Sequence, residues 1–148
     1  MRWGVRLAVD IGSVRIGVAR SDASGALAVP LEAIRAGGDE LDRVVALVGE
    51  WEAIEVIVGL PLHMSGQEGA AAQGARLWAE RLADRVDVPV RLVDERLSTV
   101  QAQRALQAGG RSTKDSRALI DSASAVMVLQ GELDRQARAS DGDEGQGR

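Results

Sequence analysis

The sequence predicts an α/β protein in which an antiparallel meander and a later alternation of helices and strands share one mixed sheet. Three observations carry this. Short apolar runs separated by Gly-Ser and Ser-Gly turns open the chain. Two later runs, EVIVGLP and VPVRLVDE, have the unbroken apolar character of strands covered on both faces. The segments around them repeat apolar residues at helical spacing. The order reads βββαβαβαα, with helices on both faces of the sheet.

The elements follow in turn. Residues 5–10 and 14–20 are strand-like, and Gly12-Ser13 marks the turn between them. ALAVPL, residues 26–31, is a third strand after Ser24-Gly25. In DELDRVVALVGEW, residues 39–51, Leu41, Val44, Val45 and Val48 fall on one helical face, with Asp39 at the N-cap. Residues 55–61 form a strand stopped by Gly and Pro. Residues 67–85 are an Ala-rich helix with Leu77, Trp78 and Leu82 on one side, and 88–95 are the next buried strand. A short helix over 98–108 ends at Gly109-Gly110, and a long one covers 115–138. Residues 139–148, ASDGDEGQGR, have nothing to bury and are expected to be a disordered acidic tail behind a single domain, 1–138.

Composition narrows the function classes. With no Cys, neither a disulfide nor a thiolate metal site is available. No apolar run reaches the length of a membrane span, and the first residues do not read as a signal peptide, so a cytoplasmic protein with no membrane partner is expected. With no Phe, no Tyr and three Trp, the core must be built from Val, Leu, Ile and Ala. The net charge of −4 argues against bulk attraction to nucleic acid, yet its distribution is uneven. Residues 91–117 hold six basic residues (Arg91, Arg96, Arg104, Arg111, Lys114, Arg117) against three acidic ones, Asp94, Glu95 and Asp115.

Open sheets of this kind hold ligands beyond their strand ends, and three acids stand out by position. Asp10 closes the first strand, Glu95 ends LVDE, and Asp121 sits among the small residues of IDSASAV, which let a helix approach a sheet closely. Each also has a plain reading. An Asp before a Gly caps turns, an acidic pair after a strand can begin a helix, and a lone helical Asp is usually solvated. Converged at one sheet end, the three would repel unless a cation sat among them. Without Cys and with a single His, a hard oxygen-ligated ion such as Mg²⁺ or Mn²⁺ suits them.

At these acids the sequence resembles the YqgF-type, or RuvX-like, nucleases of the ribonuclease H-like superfamily. The resemblance covers about residues 5–135. VDIGSVRIGVARSD is similar to the family's first-strand motif, IVGLPLHMSGQE to its GLP loop, VDERLSTVQA to its DER motif and IDSASAVMVLQ to its closing helix. It implies a three-layer α/β/α ribonuclease H-like fold with a five-stranded mixed sheet. It also implies a catalytic, metal-binding triad of Asp10, Glu95 and Asp121. His63 stands where the family often has Asn.

With that implication, the chemistry is phosphodiester hydrolysis by rigidly held carboxylates and Mg²⁺ or Mn²⁺. Gly12 and Gly17 would let the first hairpin's backbone come close to metal or substrate. Arg96, Arg111 and Lys114 are the expected phosphate contacts, the last two in a loop, GGRSTKDS, beside the site. The scarcity of aromatics argues against base stacking as the main source of binding, so backbone charge and shape should dominate. The resemblance implies an endonuclease acting on structured nucleic acid, first of all at the 5′ end of precursor 16S rRNA, with four-way DNA junctions as the alternative, working as a monomer or weak homodimer. Two other classes compete: an ATP-binding module of the sugar-kinase type, which shares VDIG but needs a second lobe, and a non-catalytic nucleic-acid or ribosome-assembly binder.

Overall fold

The structure is a computed structural model that describes residues 2–96 and 113–146, and within the second stretch the side chains of 117–139. Strands β1 (Arg6–Ile11), β2 (Arg15–Ser21) and β3 (Ala28–Arg35) form the antiparallel meander. Then come α1 (Glu40–Glu50), β4 (Glu55–Leu60), α2 (Ala70–Ala83), β5 (Val90–Asp94), α3 (Thr113–Asp121) and α4 (Ala123–Gln146). β4 joins β1 in parallel and β5 joins β4 in parallel, giving the sheet order β3-β2-β1-β4-β5. All three central strands carry fully apolar stretches because helices cover both of their faces.

Strand alternation sorts the core into two layers. Leu7, Val9, Ile16, Val18, Val56 and Val58 pack with Val44 of α1 and with Ala72, Ala75, Ala79 and Leu82 of α2. On the other face, Ala8, Ala19, Ala28, Ile57 and Val93 pack against Ala125, Val126, Val128, Leu129 and Leu133 of α4. The alanines on the second face keep side chains short, so α4 lies close to the sheet without any aromatic filler. Polar stitches fix it there: the buried Gln130 accepts from the Ala28 amide and donates to the Ala26 carbonyl, both at 2.9 Å.

Several boundaries differ from the sequence expectation. β3 runs on to Arg35, because EAIR continues to pair with β2. α2 starts at Ala70, since Glu68 is drawn into a bridge with Leu62. Asp39 holds the N-cap position of α1 without a side-chain cap. Instead the Glu40 carboxylate accepts from the Gly37 and Gly38 amides. The expected single closing helix is two helices that meet at Ser122, and the backbone of α4 is helical to Gln146, within the stretch read as a tail. A helix anchored over its first turns extends at one hydrogen bond per added residue, which local composition does not reveal. The helix expected over 98–108 and Arg111 lie outside the described residues, as does the side chain of Lys114.

Candidate active site

Asp10 lies near the end of β1 on the face covered by α4, the parity it shares with Ala8. Glu95 follows β5 directly, and its amide donates to the Leu60 carbonyl at 3.2 Å, so the ladder continues to it. Between β1 and β5 runs β4, and there the chain has Gly59. A Cβ at Gly59 would stand 2.8 Å from Glu95 Oε1. The missing side chain therefore leaves Glu95 free to lie across β4 and meet Asp10. Burial, the hydrogen bond with Asp10 and the charges of Asp10 and Asp94 push the Glu95 carboxyl from 4.5 up to about 8. Glu95 therefore holds its proton into the neutral range, because an ionised Glu95 would be half-buried beside Asp10. Glu95 Oε1 is buried and has no hydrogen-bond partner among the described residues.

Asp121 is brought to the same face by its backbone. Gly17 stands directly opposite Asp10 in the β1–β2 ladder. A Cβ on Gly17 would lie 3.1 Å from the Asp121 carbonyl oxygen and 3.3 Å from the Ser122 Cα. The joint of α3 and α4 thus rests on the one residue of β2 that offers no side chain. Ser122 locks it. The β2–β3 register slips between Ile16/Ile34 and Val18/Leu31, so Glu32 and Ala33 together face Gly17 as a β-bulge. The fully buried Ser122 hydroxyl fills that gap, accepting from the Val18 amide at 3.0 Å and donating to the Leu31 carbonyl at 2.8 Å. Two of the three expected acids are in contact and the third is one strand away on the same face. Among the described residues no group of three His, Cys, Asp or Glu side chains closes to metal-holding distance.

The remaining expected residues are placed as follows. Gly12 makes the hairpin possible: a Cβ there would stand 2.5 Å from the Arg15 carbonyl oxygen. At both Gly12 and Gly17 the close neighbour is the protein's own backbone. Arg96 is committed to Asp94, with its Nη2 at 2.7 Å, and it also reaches the carbonyls of His63 and Met64 at 3.5 and 3.3 Å. It ties the loop after β4 to the end of β5, and its guanidinium holds Asp94 below the ordinary carboxylate range. Within the basic window, Arg91 is likewise paired, with Glu55 and with the buried Glu132. Sequence reasoning missed Gly59 and Ser122. A glycine inside an apolar strand run signals close approach, which was the available clue to Gly59. Nothing local announces that Ser122 plugs a bulge two strands away.

The donor set is oxygen only, and it presents a partnerless buried carboxylate oxygen beside a second carboxylate. That chemistry fits a hard divalent cation, which would displace the proton held by Glu95.

Comparison with known proteins agrees with this geometry. The family model described as "RuvX: Holliday junction resolvase" matches residues 4–135. A protein of Thermobifida fusca named "Putative pre-16S rRNA nuclease" is 54% identical over 146 residues, covering 93% of this chain and 92% of that one. A protein of the same name from Mycobacterium ulcerans is 51% identical over 142 residues, covering 94% of this chain and 84% of its own. Among solved structures, T. thermophilus RuvC in complex with a Holliday junction substrate superposes with a TM-score of 0.53 at 17% identity, over 90% of this chain and 96% of that one. The last likeness speaks for the fold, which is the one the resemblance implied. Since the family model spans both carboxylate-bearing strand ends and the Ser122 joint, and the relatives span nearly the whole chain, this chain belongs to the RuvX family of nucleases.

Proposed function

We propose that the chain is a cytoplasmic endonuclease that hydrolyses phosphodiester bonds in structured nucleic acid, with precursor 16S rRNA as substrate, and that Asp10, Glu95 and Asp121 are its catalytic carboxylates. The carrying observation is the Asp10–Glu95 pair, held at one sheet end by two strands and given room by Gly59. A structural ion-pair network would neutralise such groups with cations. Here the strand ends bring two acids together, at a cost in stability above about pH 8 that a bound cation would offset.

Asp10 and Glu95, joined by Asp121, would hold Mg²⁺ or Mn²⁺. Such an ion would supply charge neutralisation at the phosphate and a more acidic attacking water. The chain's own contribution is orientation. β1 fixes the direction of Asp10, the ladder bond from the Glu95 amide fixes the root of Glu95, and Ser122 fixes the joint that carries Asp121. The Glu95 carboxyl, raised to about 8, would have to give up its proton to serve as a ligand. Arg96 holds the loop of His63 and Met64 against the site.

Four-way DNA junctions are the second reading, favoured by the description of the family model. A precursor 16S rRNA fragment and a four-way junction, incubated side by side with Mg²⁺, Mn²⁺ or EDTA, decide between them. The expected outcome is divalent-dependent cutting of the rRNA by a monomer or weak dimer. Asp10→Asn, Glu95→Gln and Asp121→Asn should each abolish it with native circular dichroism. A stable dimer making symmetric nicks in the junction, and leaving the rRNA intact, would transfer the assignment to the second reading.

A further inference from the structure

Arg15 and Arg35 are directly opposed across β2 and β3, at the sheet end that carries Asp10. Opposed residues of an antiparallel pair project from the same face, with Cβ atoms about 5 Å apart. The neighbouring pair, Ile16 and Ile34, is buried against α1 and α2, so Arg15 and Arg35 belong to the other face. That is the face of Gly17, Asp10, Glu95 and the α3–α4 joint. Both arginines are exposed. Among the described residues neither has a carboxylate partner, whereas Arg6, Arg91 and Arg96 of the same sheet and its margins are all ion-paired. Glu40, which follows β3 closely, is engaged by the Gly37 and Gly38 amides.

Like charges set opposite each other on a strand pair destabilise it. Their backbone is nonetheless well fixed: the Ala36 amide donates to the Val14 carbonyl at 2.9 Å, closing the hairpin end onto β3. Arg15 lies two residues beyond Gly17, which faces Asp10. Strand geometry then puts the Arg15 Cα about 8 Å from the Asp10 Cα, and Arg35 about 12 Å away, one strand further out. An extended arginine spans most of such a gap, and its planar fork matches phosphate oxygens in two-point contact.

We propose that Arg15 and Arg35 form a two-cation clamp for the phosphodiester backbone of the substrate, on the β3 side of the scissile bond. The inference rests on the nuclease reading above and adds where the strand lies. It supplies positive charge on the site's own face, whereas Arg91 and Arg96 are already neutralised by acids.

The test uses the full chain. Binding to the precursor rRNA fragment and the four-way junction is measured by anisotropy in an Asp10→Asn background with Mg²⁺, over a series of salt concentrations. Steady-state cleavage is measured in the wild-type background. Adding Arg15→Ala and Arg35→Ala should lower affinity by about tenfold or more. It should also reduce the log–log salt slope by between about 1.4 and 2, the release expected for two phosphate contacts. KM should rise with little change in kcat. The double lysine variant should keep the salt slope and recover part of the affinity, because charge persists without the fork. A control pair, Arg43→Ala and Arg81→Ala on α1 and α2, removes the same charge from the opposite face and should leave slope and KM unchanged. Melting temperature should stay level or rise in Arg15→Ala/Arg35→Ala, since a repulsion is removed. Unchanged slope and KM in that variant, or an equal loss in the control pair, would overturn the clamp while leaving the nuclease reading intact. A folded wild type that neither binds nor cuts either substrate would overturn both.

Discussion

Replacing Glu95 with Gln should change how stability depends on pH in a window no other described group with a resolved shift occupies. Glu95 is raised from 4.5 to about 8 by burial, by its hydrogen bond to Asp10 and by the charges of Asp10 and Asp94. Between those two values the folded chain keeps a proton that the unfolded chain has lost. Stability without metal must therefore fall as pH rises from about 5 to about 8, and stay low above that. Full conversion at about 1.4 kcal/mol per unit would give an upper bound near 5 kcal/mol. Asp10 and Glu95 are both only partly buried, so water screens the effect and we expect about 2 kcal/mol. For a chain of this size that is a fall of roughly 4–8 °C in Tm. Glu55, Asp22 and Asp94 are shifted the other way, and their contributions are lost only as pH falls below the ordinary carboxylate range. Gln keeps the shape of Glu95 and donates to Asp10 without titrating. Thermal melts in EDTA from pH 5 to pH 8 should show the wild type losing stability and Glu95→Gln holding level, with the variant the more stable at pH 8. Mg²⁺ added at pH 8 should then raise the wild-type Tm more than the variant's. Parallel curves from pH 5 to 8, or a variant that is less stable at pH 8, would show that Asp10 and Glu95 do not confront each other as described.

Gly59→Ala should leave global stability within about 1 kcal/mol, because the three atoms nearest the new Cβ all belong to the Glu95 side chain, which can swing aside. It should nevertheless reduce cleavage by about a hundredfold through displacement of that carboxyl; full activity would separate Glu95 from the chemistry. Ser122→Ala leaves the Val18 amide and the Leu31 carbonyl without their buried partner and should cost about 1–3 kcal/mol in urea unfolding. The Mg²⁺ concentration for half-maximal cleavage should rise as well, and a loss of stability with an unshifted Mg²⁺ curve would mean that the joint does not position Asp121. Arg96→Ala should speed proteolysis within residues 61–68 and leave the salt dependence of binding unchanged, because its guanidinium is already neutralised by Asp94. A shallower salt slope would return Arg96 to the phosphates.

The fold was legible because its signals are local. Turn glycines, β-branched runs and helical spacing place β1, β2, α1, β4 and β5 with small errors at their ends. The acids were legible for a related reason: Asp10 and Glu95 each terminate an apolar run, where a carboxylate is out of keeping with burial. The supports around them were not legible, because they are relations between distant segments. Gly17 reads as room for metal or substrate to approach the hairpin until the α3–α4 joint is seen lying on it. Ser122 reads as one more small helical residue, yet it ends α3 and satisfies two strands 104 and 91 positions away in sequence. Arg96 reads as a free cation until Asp94, two residues earlier, is seen turned toward it.

The same distinction changes how an acidic domain can hold nucleic acid. Counting charges along the sequence points to residues 91–117 as the basic surface. In space, Arg91 is closed off by Glu55 and Glu132, and Arg96 by Asp94, so two of that window's six cations offer little to a phosphate. Arg15 and Arg35 come from different strands, and no sequence window unites them; the β2–β3 register does. With the proposed clamp, attraction would arise beside the carboxylates, on the face where Gly17 and Gly59 carry no side chain. A domain with this layout should discriminate substrates by whether a backbone can reach the hairpin clamp and the Asp10–Glu95 pair together. Plain duplex, which follows one gentle curvature, should meet that demand less well than a folded or branched strand.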